Sequence, residues 1–162
     1  MSQIIDPQCL DNFQSAFHEG DENVTHKLEE TENVRCVEEV LRIIARKDFD
    51  ALNDILADDV TFEIIGTSAT PLAGITKGRQ QVIETARNNF AQVEEQRPEI
   101  QSVVAQGNTV VVIGREQGRF RPTGRSYDLH WMYQYTFKDR KVISIRELFD
   151  SAALLSVIAP EK

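Results

Sequence analysis

Two glutamates, Glu116 and Glu147, stand where strand alternation otherwise places apolar side chains. Side chains alternate faces along a strand, so every second residue lines one face. In the run Val110 to Phe120 the even positions are Val110, Val112, Gly114, Glu116, Gly118 and Phe120. In the run Ile143 to Phe149 the odd positions are Ile143, Ile145, Glu147 and Phe149. Between them runs a stripe of Tyr127, Leu129, Trp131, Tyr133, Tyr135 and Phe137. A carboxylate facing a core is costly unless it is paired, hydrogen-bonded or solvated in a pocket. Two of them in one apolar pocket do not both ionise readily, because burial raises each pKa and repulsion raises one further. One acid and one base at neutral pH is the arrangement that proton transfer needs. Glu116 and Glu147 are therefore the candidate catalytic pair. The pocket around them is expected to be lined by Phe62, Ile64, Phe120, Trp131, Tyr133 and Phe149. The competing account has each glutamate satisfied by water or by an arginine, with Arg79 and Arg87 as the partners within reach.

The elements that must position these acids follow from periodicity. From Glu32 the pattern is helical, with Val34, Val37, Leu41 and Ile44 recurring at three- and four-residue steps and Val40 and Ala45 widening the stripe. Lys47-Asp48 ends it, and Asp50 opens a short helix through Leu56. Val60 to Ile65 reads as a strand, and 66–76 as a loop near the pocket mouth. Gly78 to Val93 is a helix that Pro98 terminates. Strands follow over Glu99–Ala105, Thr109–Arg121, Ser126–Phe137 and Lys141–Phe149, joined by short polar links that imply antiparallel hairpins. Asp150 can cap a last helix, Ser151 to Ile158. Helices first and then a strand meander predict an α+β fold, with helices on one face of a curved antiparallel sheet. If Arg121 pairs with Ser126, Glu116 lies opposite Trp131, and Glu147 lies opposite Trp131 or Tyr133. The acids are then two strands, roughly 10 Å, apart at similar height, and inward lean brings them toward hydrogen-bonding range.

Residues 1–32 read as an acidic, weakly patterned N-terminal extension, with a break at Gly20 to Asn23 and surface-type His18 and His26. Residues 33–159 read as one domain. A chain of 162 residues is long enough for one real core. A net charge of -8 argues against nucleic acid or an anionic membrane as partner. The arginines at odd positions 115–121 read as a solvated or subunit-facing sheet face. Cys9 and Cys36 have no CxxC spacing and no histidine cluster, so reduced thiols and no metal or cofactor are expected. No apolar run approaches a membrane span, and residues 1–17 lack the features of a secretory signal, so a cytoplasmic location is the default. His130 falls on the outer sheet face with Asp128, Met132 and Gln134, a mixed row that predicts a homodimer through that face.

The order of elements resembles the NTF2-like superfamily, in its SnoaL-like and ketosteroid-isomerase-like branch. The residues that carry the resemblance are Lys47 to Asp50, Leu56 to Phe62, Gly74 through Gly78-Arg79, and Arg146 to Asp150. It implies a cone, a bent sheet wrapped around N-terminal helices with a deep apolar pocket. The steroid isomerases' catalytic aspartate falls at Ile64, their oxyanion-hole tyrosine at Val40 and their oxyanion-hole acid near Tyr133, so that machinery is absent. The stretches Pro122 to Tyr127 and Ile145 to Asp150 resemble the limonene-epoxide hydrolases. The two acids of that family land on Glu116 and Glu147. Its bridging arginine lands on Gly114, and its water-holding tyrosine and asparagine land near Phe62 and Ile64. The resemblance implies a small apolar molecule as partner. It leaves two functions: a two-glutamate enzyme of isomerase, cyclase, dehydratase or hydrolase type, or a non-catalytic ligand-binding or dimeric assembly domain.

Overall fold

The computed structural model describes residues 24–67 and 70–158. Cys9, His18, the break at Gly20 to Asn23 and the side chain of His26 lie outside the described residues. The chain runs through α1 (Val24–Arg46), a 3-10 turn (Phe49–Asp54), β1 (Leu56–Ile65), β2 (Gly74–Lys77) and α2 (Arg79–Ala91). It continues through β3 (Val93–Gln106), β4 (Thr109–Phe120), β5 (Arg125–Lys138), β6 (Lys141–Phe149) and α3 (Ser151–Ile158). The six strands form one curved, unclosed sheet in the order β2-β1-β6-β5-β4-β3, with the helices against its inner face. All neighbours are antiparallel except β1 and β6, which run parallel.

α1 buries Val34, Val37, Val40 and Ile43 against the sheet. Leu41 and Ile44, one step round the helix, are only partly buried. Its last turn closes with the Lys47 and Asp48 amides donating to the Ile44 and Ile43 carbonyls. The helix starts at Val24, eight residues before the apolar stripe makes it legible. The reason is that its first turns carry polar residues with no periodic face. α2 sets Val82 and Ile83 into the core. The Asp150 carboxylate accepts the Ala153 amide at 3.0 Å and so caps α3.

Three expectations about strands are corrected. β3 begins at Val93, and Pro98 lies inside it, paired with Glu116. β3 is the edge of the sheet, the place in a sheet where a residue without an N–H is tolerated. β2 lies within the segment read as loop, pairing Lys77 with Thr61 and Gly74 with Ile64. In β6 a register shift beside Phe137 turns Val142 inward, where alternation had placed Ile143.

Inward parity holds for β4 and β5. Val110, Val112, Leu129, Trp131, Tyr135 and Phe137 are buried. The β4–β5 register is offset from expectation, because Phe120 pairs with Arg125 rather than Arg121 with Ser126. The Phe120 carbonyl accepts the Gly124 amide at 2.8 Å, and Gly124 takes φ 69°, so the turn closes one residue early on each strand. Such a slip moves partners by two and leaves the faces unchanged.

Candidate functional site

Glu116 is framed by two glycines, and the frame decides what reaches it. Gly114 pairs with Trp131 and Gly118 with Tyr127 across the β4–β5 ladder. A Cβ on Gly114 would meet Trp131 Cζ2 at 2.3 Å, and one on Gly118 would meet the Tyr127 hydroxyl at 2.5 Å. Both rings therefore lie flat over bare backbone on either side of the acid. The Tyr127 hydroxyl donates to Glu116 Oε1 at 2.5 Å. Gln96 Nε2 donates to the same oxygen at 3.1 Å. Gln96 reaches inward because β3 bulges between Glu94 and Arg97, with Glu95 at φ 55°.

Glu147 pairs across the ladder with Tyr133, whose hydroxyl donates to Glu147 Oε1 at 2.6 Å. The Tyr133 ring is packed edge-on by Trp131 at 5.4 Å and stacked on Tyr135 at 6.0 Å between centroids. Glu116 lies opposite Leu129 and Glu147 opposite Tyr133, with Trp131 between them on β5. The expectation that Glu116 faces Trp131 is therefore corrected by the register. The acids are four β5 positions apart, roughly 13 Å along the strand. They form two separate glutamate–tyrosine pairs, not one directly hydrogen-bonded dyad. Among the described residues no cation forms an ion pair with either glutamate. Arg79 binds Asp58, and Arg87 binds Asp50 and Glu84.

Both pairs open into one cavity of about 920 Å³ between the helices and the inner sheet face. Phe62, Ile64, Trp131, Tyr133 and Phe149 line it with Glu116 and Glu147. Leu72, from the segment expected near the mouth, lines it too. Phe120 does not line it; this side chain packs on the edge of the core at the β4 end, paired with Val93 and Arg125. Burial pushes the Glu147 carboxyl up to about 7, opposed by the Tyr133 hydrogen bond and aided by the negative charge of Glu116. Burial also raises Glu116, opposed by its bonds from Tyr127 and Gln96. Burial first, and then the facing carboxylates, raise the phenols of Tyr127 and Tyr133, so both stay protonated donors. Burial thus holds Glu147 well above the usual carboxylate range, and Glu116 takes both of its donors on one oxygen. Among the described residues no group of His, Cys, Asp and Glu is arranged to hold a metal ion.

Tyr127 and Gln96 were missed by sequence reasoning. The signal for Tyr127 was present: glycines two residues either side of an inward acid leave room for rings from the next strand. Gln96 carried no signal, because its segment read as the end of a helix. Replacing Tyr133 with Phe removes the donor that lowers Glu147, so its titration is expected to move above 7. Carbon-13 NMR of the side-chain carboxyl measures this, and an unmoved midpoint would exclude the phenol as donor.

A sequence profile described as SnoaL-like domain matches residues 37–145. No curated protein matches the chain. Among solved structures, an NTF2-like protein from Burkholderia xenovorans is 29% identical, with a TM-score of 0.68 over 79% of this chain and 96% of that one. An NTF2-like protein of unknown function from Burkholderia pseudomallei is 25% identical, with a TM-score of 0.71 over 80% and 98%. An LEH-like epoxide hydrolase from M. tuberculosis is 21% identical, with a TM-score of 0.64 over 80% and 91%, a likeness of fold. With the profile spanning more than half of its length, the chain belongs to the SnoaL-like domain family.

Proposed function

We propose that the protein is an enzyme that moves protons on a small, largely apolar molecule held in this cavity. Glu147 is the group that gives or takes the proton, and Glu116 is the second acid that anchors a polar group of the substrate. The observation that carries the reading is a carboxyl near pKa 7, without a cationic partner among the described residues, lining a cavity with room for a ligand. A general acid or base works best with its pKa near the operating pH. Isomerisation, cyclisation, dehydration and hydrolysis all use such a group. The test is turnover, or deuterium uptake in heavy water, on a panel of apolar ketones, unsaturated ketones and epoxides. Activity in the wild type that survives unchanged in Glu147→Gln would overturn the reading. Binding without chemistry is the second reading, favoured by the separation of the two acids. It predicts occupancy of the cavity with no turnover of any bound compound.

We also propose a homodimer through the outer sheet face. Ile113, Met132 and Leu148 form one contiguous cross-strand row there, and Val104 is exposed on the strand next to Ile113. A contiguous exposed apolar patch of this kind marks an interaction surface. Sedimentation is expected to give a dimer that Leu148→Glu converts to monomer. A monomeric wild type at tens of micromolar would refute it.

A further inference from the structure

Glu116 sits in an aromatic cradle without a counter-ion. Trp131 and Tyr127 flank Leu129, its partner on β5, so one ring lies on each side of the acid. Both rings line the cavity together with Glu116. Tyr127 and Gln96 donate to Oε1, and among the described residues nothing donates to Oε2. The Tyr133 hydroxyl is likewise committed to Oε1 of Glu147. These donors beside the two acids are used, and acceptor capacity is left over. The nearby bases do not offset it. Arg97 pairs with Gln117 on the outward parity of β4, and Arg46 and Lys47 are exposed at the C-terminus of α1, where the helix dipole favours them. A buried acid with no counter-ion costs stability that an apolar residue would not. The cradle is also strained, since Glu95 holds φ 55° where the bulge turns Gln96 inward. A second observation lies further along the same stripe. Tyr135, stacked on Tyr133, lines the cavity and is 1% exposed, and among the described residues its hydroxyl has no hydrogen-bond partner. A buried hydroxyl left unsatisfied is costly, and a ligand in the cavity would satisfy it.

We infer that the cavity takes an elongated amine, its ammonium on Glu116 between Trp131 and Tyr127, its apolar body along β5, and an uncharged polar end at Tyr135. The inference rests on the reading of the cavity as a ligand site, and it adds the charge and direction of the ligand. An ammonium donates to the carboxylate oxygen that Tyr127 and Gln96 leave bare. The faces of an indole and a phenol attract a cation, and the attraction grows as water is excluded. Glu147, raised to about 7 by burial, offers the weaker counter-charge, so the ammonium belongs at Glu116. The reacting end is thus the uncharged end, beside the Glu147–Tyr133 pair.

Four probes with one apolar body test it: 4-cyclohexylbutylamine, 4-cyclohexylbutan-1-ol, 4-cyclohexylbutanoate, and the amine with a hydroxyl on the far ring carbon. Calorimetry at pH 7 gives the affinities, and emission of Trp131, the only tryptophan in the chain, reports entry into the cavity. The amine is expected to bind roughly tenfold more tightly than the alcohol, as a cation does on desolvated aromatic faces. Glu116→Gln should abolish that preference. It changes the overall charge by one unit only, which separates the cradle from the general pull of a chain with net charge -8. Should that variant fail to fold, the wild type decides in buffers of different ionisation enthalpy: the amine should release protons from the glutamates, and the alcohol should not. The far hydroxyl should tighten the amine about fivefold in the wild type and not in Tyr135→Phe. A hydroxyl without effect would overturn the contact with Tyr135. Equal binding of amine and alcohol, tightest binding of the carboxylate, amine binding without proton release, or a preference that survives Glu116→Gln would overturn the amine and leave the cavity a ligand site. Failure of all four probes to bind would overturn both.

Discussion

Glu147→Gln is expected to melt higher than the wild type at pH 8, to match it near pH 4.5, and to lose about 10²- to 10⁴-fold in turnover, the usual worth of a general acid or base. In an unfolded chain the carboxyl titrates near 4.5, and in the fold near 7. Below 4.5 both states hold the proton, and the group has no effect on stability. Between the two values the folded protein keeps a proton that the unfolded chain has released, so stability falls as pH rises. Above 7 the folded state carries a buried carboxylate, at a cost of at most about 3 kcal/mol. Glutamine removes that cost and keeps a carbonyl oxygen to accept the Tyr133 hydroxyl. A gain of roughly 5 to 10 °C at pH 8 follows for a domain of this size. Calorimetric melts across pH measure it. A glutamate held ionised as a structural acceptor gives the opposite sign, because glutamine would replace a charge-assisted hydrogen bond from Tyr133 with a weaker neutral one. A clear fall in melting temperature at pH 8 would refute the proposed role of Glu147 before any substrate is known.

Gly114→Ala is expected to be the most damaging single methyl in the chain. The new Cβ would lie 2.3 Å from Trp131 Cζ2, 2.7 Å from Cε2 and 2.7 Å from the Glu99 carbonyl oxygen. The indole is buried, and the carbonyl belongs to the neighbouring paired strand, so neither can move aside freely. Overpacking of this kind costs about 3 kcal/mol. The displaced indole should shift its emission, and Trp131→Leu in the same chain should recover part of the loss by returning space. An alanine variant with unchanged melting and emission would show that the ring does not lie over Gly114.

Much of the site was legible because a strand has period two. That rule alone put Glu116 and Glu147 inward, and it survived an error in the β4–β5 register, since a paired slip moves partners without changing faces. The same rule failed at Ile143, where a local register shift in β6 turned Val142 inward instead. Pro98 misled for a different reason. Proline breaks a helix interior, but it is tolerated in a strand at the open edge of a sheet, and edge position is a property of the assembled sheet. The 3-10 turn starting at Phe49, where Asp50 was read as a cap, is a smaller displacement of the same local kind.

What this sequence determined by itself is which residues share a face: apolar alternation, turn residues and caps act over a few positions, and local sterics suffice to express them. The class of fold followed, and so did two acids on an aromatic inner face. Only the tertiary structure decided how those acids are held. The turn closing at Gly124 sets them apart on β5, the glycines flanking Glu116 let Tyr127 reach it, and the bulge in β3 turns Gln96 inward from the neighbouring edge strand. Burial, aided by the negative charge of Glu116, then raises the Glu147 carboxyl to about 7. Those quantities depend on distances between segments far apart in the chain, and packing sets them where periodicity cannot.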